Sequence, residues 1–196
     1  MHVLLVHCHP VGESYVAALR DAAVATLQGA GHEVEVLDLY AAGFRGELNR
    51  EERLAYHDTA ANTGTVAAEV AQLRRADALV LVFPTWWYGM PALLKGWFDR
   101  VWVPGVAFGI RPDGNISTES LSRIRSLAVV TTSGSPWWLI GLVMGHPTKK
   151  VIGRGLRRLC ARGCRFQWLQ HYGMDKSTPD SRTVFLRRVS ARLAAI

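Results

Sequence analysis

The feature that most constrains this chain is a six-residue apolar run, Ala78-Leu79-Val80-Leu81-Val82-Phe83, stopped by Pro84. The run is short and rich in Val and Leu. It predicts a strand buried on both faces, as in a parallel sheet. Pro84 lacks the N–H that a central ladder needs, so the strand is expected to end before it. Pro91 suits the first turn of a helix, where a missing N–H costs nothing. Beyond it Leu93, Leu94, Trp97, Phe98, Val101 and Trp102 recur at helical spacing, which predicts a helix from Pro91 to Val103. Thr85, Trp86, Trp87 and Tyr88 then sit on a loop at the C-terminal end of a buried strand. In open α/β sheets that edge binds ligands. Three adjacent aromatics cannot all point into a core. They offer flat apolar walls, backbone N–H groups and one phenol, which suits a planar heteroaromatic ligand.

The rest of the chain supplies the partners of that strand. Val3 to Val6 read as strand one, followed by His7-Cys8-His9-Pro10. Ser14 is an N-cap candidate for a helix with Val16, Leu19, Ala23 and Leu27 inward, and Gly29-Ala30-Gly31 ends it. His32 to Leu39 alternates as strand two. Tyr40 to Thr63 is expected to be a long connection with a short helix near Leu48 to His57. Thr65 to Arg75 predicts a helix with Val66, Val70 and Leu73 inward. After the aromatic loop and its helix, Pro104 to Ser117 is turn-rich, with Pro-Gly, Phe-Gly and Asp-Gly pairs. Ser126 to Thr132 is strand four, leading into Ser133-Gly134-Ser135. Pro136 to Pro147 reads as irregular. Thr148 is expected to cap a basic helix reaching Arg162, with Gly163 as its stop. Cys164 to His171 is strand five, and Thr178-Pro179 starts a final helix.

Strands alternating with helices predict a doubly wound parallel sheet in a single domain spanning residues 1–196. Right-handed crossovers and five strands favour the order 2-1-3-4-5, whose switch point lies between strands one and three. The loops after strands one, three and four then meet at one edge. The first brings a histidine, a hydroxyl and a helix N-terminus, which suits phosphate. The last brings Thr131, Thr132, Ser133 and Gly134, with hydroxyls and N–H groups for a polar ligand edge. No phosphate-loop lysine motif and no nucleophile elbow occur, and Gly153-Arg154-Gly155 lacks the third glycine of a dinucleotide fingerprint. His7-Cys8-His9 reads as a strand end rather than a metal site, because nothing nearby completes a ligand set.

The formal net charge is +7. The excess lies late, from Lys149 to Arg165 and from Arg182 to Arg192. In the first cluster the charges alternate with Val151, Ile152, Leu156 and Leu159, the pattern of a helix with one solvated face. The charge is therefore read as a field for anionic cofactors rather than a nucleic-acid surface. No run approaches the length of a membrane span. Three cysteines without zinc spacing and an apolar start that reads as a strand suggest a reducing cytoplasm.

These pieces resemble the NAD(P)H:quinone oxidoreductase family of the DT-diaphorase type and its bacterial relatives. The resemblance is carried by His9-Pro10 with Ser14-Tyr15, by Gly31-His32-Glu33-Val34 leading into Asp38-Leu39-Tyr40, by Phe83-Pro84 through Trp87-Tyr88-Gly89-Met90-Pro91, by Leu94-Lys95-Gly96-Trp97-Phe98-Asp99-Arg100-Val101, and by Thr131-Thr132. It implies a flavodoxin-like fold, a homodimer, FAD as cofactor, NAD(P)H as hydride donor and a quinone as acceptor. It implies that His9, Ser14 and Tyr15 meet the phosphate and ribose part of the flavin nucleotide. Pro84, Thr85, Trp86, Trp87 and Tyr88 would wall the isoalloxazine, and Thr131, Thr132, Ser133 and Gly134 would hold its polar edge.

The chain departs from the family at Val16, where asparagine is common, and at Ser133, where glycine is common. The spacing of the animal enzymes' catalytic Tyr and His lands on Leu139 and Gly145, with His146 one place late. Tyr88 and His146 are therefore the weak catalytic candidates. The alternatives are an FMN-dependent azo- or nitro-reductase or electron carrier, and a flavin-binding regulatory subunit of an ion-efflux system. The apolar surface of the Pro91–Val103 helix is expected to form the dimer interface.

Overall fold

The computed structural model describes residues 1–110, 114–117 and 120–196. Five strands form one parallel sheet: β1 (His2–His7), β2 (Glu33–Asp38), β3 (Ala78–Pro84), β6 (Ser126–Thr132) and β7 (Arg165–His171), in the order β2-β1-β3-β6-β7. This is the predicted doubly wound order. Between β3 and β6 a small antiparallel pair, β4 (Gly109–Ile110) and β5 (Ile116–Ser117), occupies the segment expected to be turns only. The expected Asp113-Gly114 turn lies partly outside the described residues.

Every residue of β3 and β6 is buried, as their continuous apolar sequences require. Alternation divides them between two cores. Leu4, Leu79, Leu81, Phe83 and Val129 face one layer, with α3 (Ala67–Arg75) and α4 (Ala92–Val101). Val3, Leu5, Val80, Val82 and Val130 face the other, with α1 (Tyr15–Gly29) and α6 (Pro179–Leu193). Ser14 caps α1 by accepting from the Ala17 N–H at 3.1 Å, and Thr178 caps α6 in a reciprocal box with Ser181.

Several boundaries differ from expectation for local reasons. β3 includes Pro84, in register with Thr132. The Thr85 N–H donates to the Thr132 carbonyl, so by alternation the Pro84 nitrogen faces the β1 side, where the chain is already leaving the ladder. A turn of 3-10 helix, Gly64–Val66, precedes α3. The segment between Pro136 and Pro147 contains a π-helical turn, Leu139–Val143.

The basic helix is not continuous to Arg162. A short α5 (Pro147–Lys150) passes into π turns over Val151–Gly155 and 3-10 turns over Leu156–Leu159. Thr148 is not its cap. His146 precedes it in the left-handed region, at φ 52°, and the Thr148 hydroxyl is used elsewhere.

The long connection after β2 carries α2 (Arg50–Ala55) and lies over the outer side of α4. Gly96 makes this possible, since a Cβ there would overlap the Gly46 backbone carbonyl. Arg100, only 7% exposed, ion-pairs with Glu52 of α2 and donates to the Arg45 carbonyl. The expectation that α4 presents surplus apolar surface therefore fails. Trp97 is fully buried, and Phe98 and Trp102 are 6% and 5% exposed. The three rings pack edge-to-face within the monomer, with centroids 5.0 to 6.1 Å apart.

Candidate functional site

At the C-terminal edge of the sheet, β3 delivers the chain into a two-residue reverse turn. The Trp86 N–H donates to Gly89 at 3.2 Å, and the Gly89 N–H returns to Trp86 at 2.9 Å. Trp87 and Tyr88 between them both have positive φ, 48° and 60°. A turn of this hand normally uses Asn-Gly, because bulky side chains are strained in the left-handed region. Each such residue costs about 1–3 kcal/mol. Trp87 recovers nothing by burial, being 96% exposed. The turn is held from outside: the Thr148 hydroxyl donates to the Tyr88 carbonyl at 2.7 Å. This strained, exposed, externally braced aromatic turn is the strongest structural mark of a ligand site.

Facing it is the loop after β6. Thr85 and Thr131 join the two loops through their hydroxyls at 2.9 Å. The Ser133 N–H donates to the His171 carbonyl, and the Ser133 hydroxyl to the Ser135 carbonyl. A Cβ at Gly134 would meet the Asp175 carboxylate at 2.6 Å, so a larger residue there would displace that side chain. Between the loops lies an open cleft of about 160 Å³ lined by Thr85, Trp87, Tyr88, Ser133, Gly134, Ser135 and Ile140. Among the described residues, no protein acceptor pairs with the N–H groups of Trp87, Tyr88, Gly134 or Ser135. Free donors beside an aromatic wall fit a flavin's carbonyl edge and ring.

The loop after β1 completes the edge. The His9 ring lies 6.0 Å from Trp86, and its Nδ1 accepts from the Val11 N–H at 3.1 Å. The Ser14 oxygen caps α1 and keeps its own hydrogen for a ligand, beside the unpaired first N–H groups of the helix.

Tyr15 departs from the expected arrangement. Its hydroxyl donates to the Arg182 carbonyl on α6 at 2.7 Å, and its ring stands edge-on to His171. Burial pushes this phenol up to about 12. Only the backbone N–H of Tyr15 is left for phosphate. Pro84 and Thr131 are buried in the sheet, and Thr132 is 5% exposed, so these three frame the site from beneath.

His146 does not line the cleft. Its N–H donates to the carbonyl of Ile140, which does, and its ring is 6.3 Å from that of Tyr172. Burial, then Lys149 and Lys150, holds it below the usual histidine range, so the ring is neutral at neutral pH. Tyr88 is the titratable residue of the cleft itself. Ile140, Thr148 and Asp175 had no sequence signal that marked them as site residues. Ser135, from the same hydroxyl-rich turn, lines the cleft as well.

Outside this site, a larger apolar cavity of about 430 Å³ opens beside α4, lined by Met90, Phe98, Trp102, Phe108, Val151 and Leu156 among others.

Comparison with known proteins agrees with this fold. Residues 1–193 match the family described as having a flavodoxin-like fold. NAD(P)H dehydrogenase (quinone) 1 of Rattus norvegicus is 31% identical over 215 residues, covering 98% of this chain and 76% of that protein. A ribosyldihydronicotinamide dehydrogenase-like protein, traD, of Penicillium crustosum is 35% identical over 155 residues. The match covers 68% of this chain, which spans 58% of that relative's length. The solved NAD(P)H:quinone oxidoreductase of Methanothermobacter marburgensis superposes with a TM-score of 0.77 at 29% identity, over 99% of this chain and 94% of that one. With the sheet order, the braced aromatic turn and the donor-lined cleft in place, the chain belongs to the flavodoxin-like NAD(P)H:quinone oxidoreductase family.

Proposed function

We propose that this protein is a cytoplasmic FAD-dependent reductase that takes hydride from NAD(P)H and passes two electrons to a quinone. The observation that carries the reading is the turn at Trp87-Tyr88, where backbone strain is maintained to present an aromatic wall and free N–H groups to one cleft.

The bound flavin would supply the redox chemistry, accepting hydride and releasing two electrons. The chain's part is orientation. Trp87 and Tyr88 would cover one side of the ring, and the N–H groups of Gly134 and Ser135 would bond its polar edge. Thr148, through the Tyr88 carbonyl, would fix the turn. His9, Ser14 and the first turn of α1 would receive phosphate. Tyr88, which lines the cleft, would donate a proton to an acceptor oxygen there. His146, one residue layer behind, would act as a positioning group.

FMN is the second reading. Val16, buried at the head of α1, offers the phosphate of either flavin no side-chain donor, so the mass of the released flavin decides between them.

A homodimer is proposed on the cavity beside α4, which Phe98 and Trp102 help to line, rather than on a whole exposed face of that helix. The apolar cavity beside α4 and the exposed Ile110 and Ile116 of the β4–β5 pair form a surface that a second copy would cover.

Purified protein is expected to be yellow, to release FAD identifiable by mass, and to oxidise NAD(P)H only when a quinone is supplied. Colourless protein that gains no activity when loaded with FAD or FMN would overturn the reading. Light scattering on the flavin-loaded protein is expected to give a dimer, and a fully active monomer would exclude it.

A further inference from the structure

A second cavity lies at the opposite, N-terminal edge of the sheet, remote from the proposed quinone chemistry. It is about 670 Å³, open, and lies where the 3-10 turns of Leu156–Leu159 lead toward β7. Arg154, Arg157, Arg158 and Arg162 line it together with Cys160 and Cys164. Among the described residues none of these four arginines pairs with a carboxylate. Four uncompensated guanidinium groups around one concavity attract anions.

The two cysteines are brought together by a tight turn. The Cys164 N–H donates to the Ala161 carbonyl at 2.8 Å, and Gly163 adopts the left-handed φ of +80° that closes it. The two thiols lie close enough to interact, and each donates to a backbone carbonyl, Cys160 to Leu156 at 3.9 Å and Cys164 to Arg165 at 3.6 Å. Arg157 is fixed beside them, its Nε donating to the Cys164 carbonyl at 2.6 Å. Interaction with Cys160 holds the Cys164 thiol below its ordinary range against burial, with Arg157 and Arg165 assisting. The same interaction and burial displace the Cys160 thiol upward. A thiolate beside cations on a cavity wall is the reactive form of cysteine. All three cysteines are buried, but Cys160 and Cys164, 4% and 2% exposed, lie on the cavity wall, whereas Cys8 lies in the core away from it and burial pushes its thiol up to about 12.

We propose that Cys160 and Cys164 form a dithiol–disulfide site whose arginine-lined mouth selects small anionic disulfides. In the first step the Cys164 thiolate attacks one sulfur of the disulfide R–S–S–R. The S–S bond breaks, leaving a mixed Cys164–S–S–R bond, and R–S⁻ departs and takes the Cys160 proton. In the second step the Cys160 thiolate attacks the Cys164 sulfur, expelling the second R–S⁻, which is protonated by solvent. The two cysteines lose two electrons to become a disulfide, and R–S–S–R gains them to become two R–SH.

The test uses the reduced full chain and two probes: dithiobis(nitrobenzoate), an anionic aromatic disulfide, and dithiodipyridine, its neutral counterpart. The anionic probe is expected to release two chromophores per chain. The protein should lose two hydrogens and keep no adduct, with a Cys160–Cys164 link in the peptide map and Cys8 free. Normalised to an unstructured cysteine peptide, the anionic probe should react about tenfold or more faster than the neutral one. That advantage should vanish near 1 M salt, where the screening length falls to about 3 Å. Arg157→Gln with Arg158→Gln should slow the anionic probe alone. Cys160→Ser should stop at the mixed disulfide; if that variant fails to fold, the mass and peptide map of the unaltered chain decide. A stable adduct without the internal link, reaction only after denaturation, or equal normalised rates for the two probes would overturn the proposal.

Discussion

The aromatic loop from Thr85 to Pro91 and helix α4, which follows it directly, carry similar side chains and opposite fates. The loop holds Trp86, Trp87 and Tyr88, with Trp87 almost wholly in solvent and two residues in left-handed backbone. The helix holds Trp97, Phe98 and Trp102, all buried. Composition does not separate them; what covers them does. The 40–63 connection seals α4 through Gly46 against Gly96 and through Arg100 with Glu52, whereas nothing in the monomer covers Trp87. Aromatics under a clamp stabilise the fold; aromatics held out under strain are the ones we propose for a ligand.

The comparison breaks most sharply at the clamp. Arg100→Ala should leave the Glu52 carboxylate nearly buried without its cation, at a cost of about 3–5 kcal/mol. Chemical denaturation should show it as a lower midpoint, with flavin retained in the protein that still folds. Gly96→Ala comes next. Its methyl would push the connection off α4, costing about 1–3 kcal/mol, and tryptophan fluorescence should report Trp97 and Trp102 becoming wetter. On the loop side, Thr148→Val removes one hydrogen bond, worth about 1 kcal/mol. Flavin affinity should fall by up to about tenfold, while the melting temperature moves little.

Proton uptake sharpens the same contrast. Burial lowers His7, His146 and His171 below the ordinary histidine value. Between the folded values and about 6.5, the unfolded chain binds more protons, so stability rises with pH across that window. It should be full above about pH 6.5 and decline as pH falls through the window. Melting curves collected downward from neutral pH should show this, and His171→Gln should flatten the slope. A flat profile in the parent protein would contradict the burial of these rings.

Much of this architecture was legible in the chain. Ala78–Phe83 and Ser126–Thr132 are unbroken apolar or β-branched runs with a clear stop, so their burial and parallel pairing followed from pattern alone. Ser14 and Thr178 announced their helices through capping chemistry that is local by nature. What could not be read depended on distant partners. Thr148 has the sequence context of a cap, yet its hydroxyl reaches 60 residues back to Tyr88. Tyr15 sits in the family's phosphate-loop motif, yet its phenol is drawn to α6, 167 residues away. The expected apolar surface of α4 is absent because the polar-looking connection covers it, with Gly46 packed on Gly96 and Glu52 paired with Arg100. Part of the cleft was foreseen, at Thr85, Trp87, Tyr88, Ser133 and Gly134. Ile140 entered through an irregular turn with no periodicity to read.

The central claim is that the turn at Trp87-Tyr88 gives up stability to hold a flavin. It is tested most directly by replacing Trp87-Tyr88 with Asn-Gly, the pair that a turn of this hand prefers, and measuring melting temperature and flavin affinity on the same preparation. The account predicts opposite movements: the apo-protein becomes more stable by about 1–3 kcal/mol as strain is released, and flavin retention is lost. A variant that is no more stable than the parent and binds flavin as tightly would contradict it.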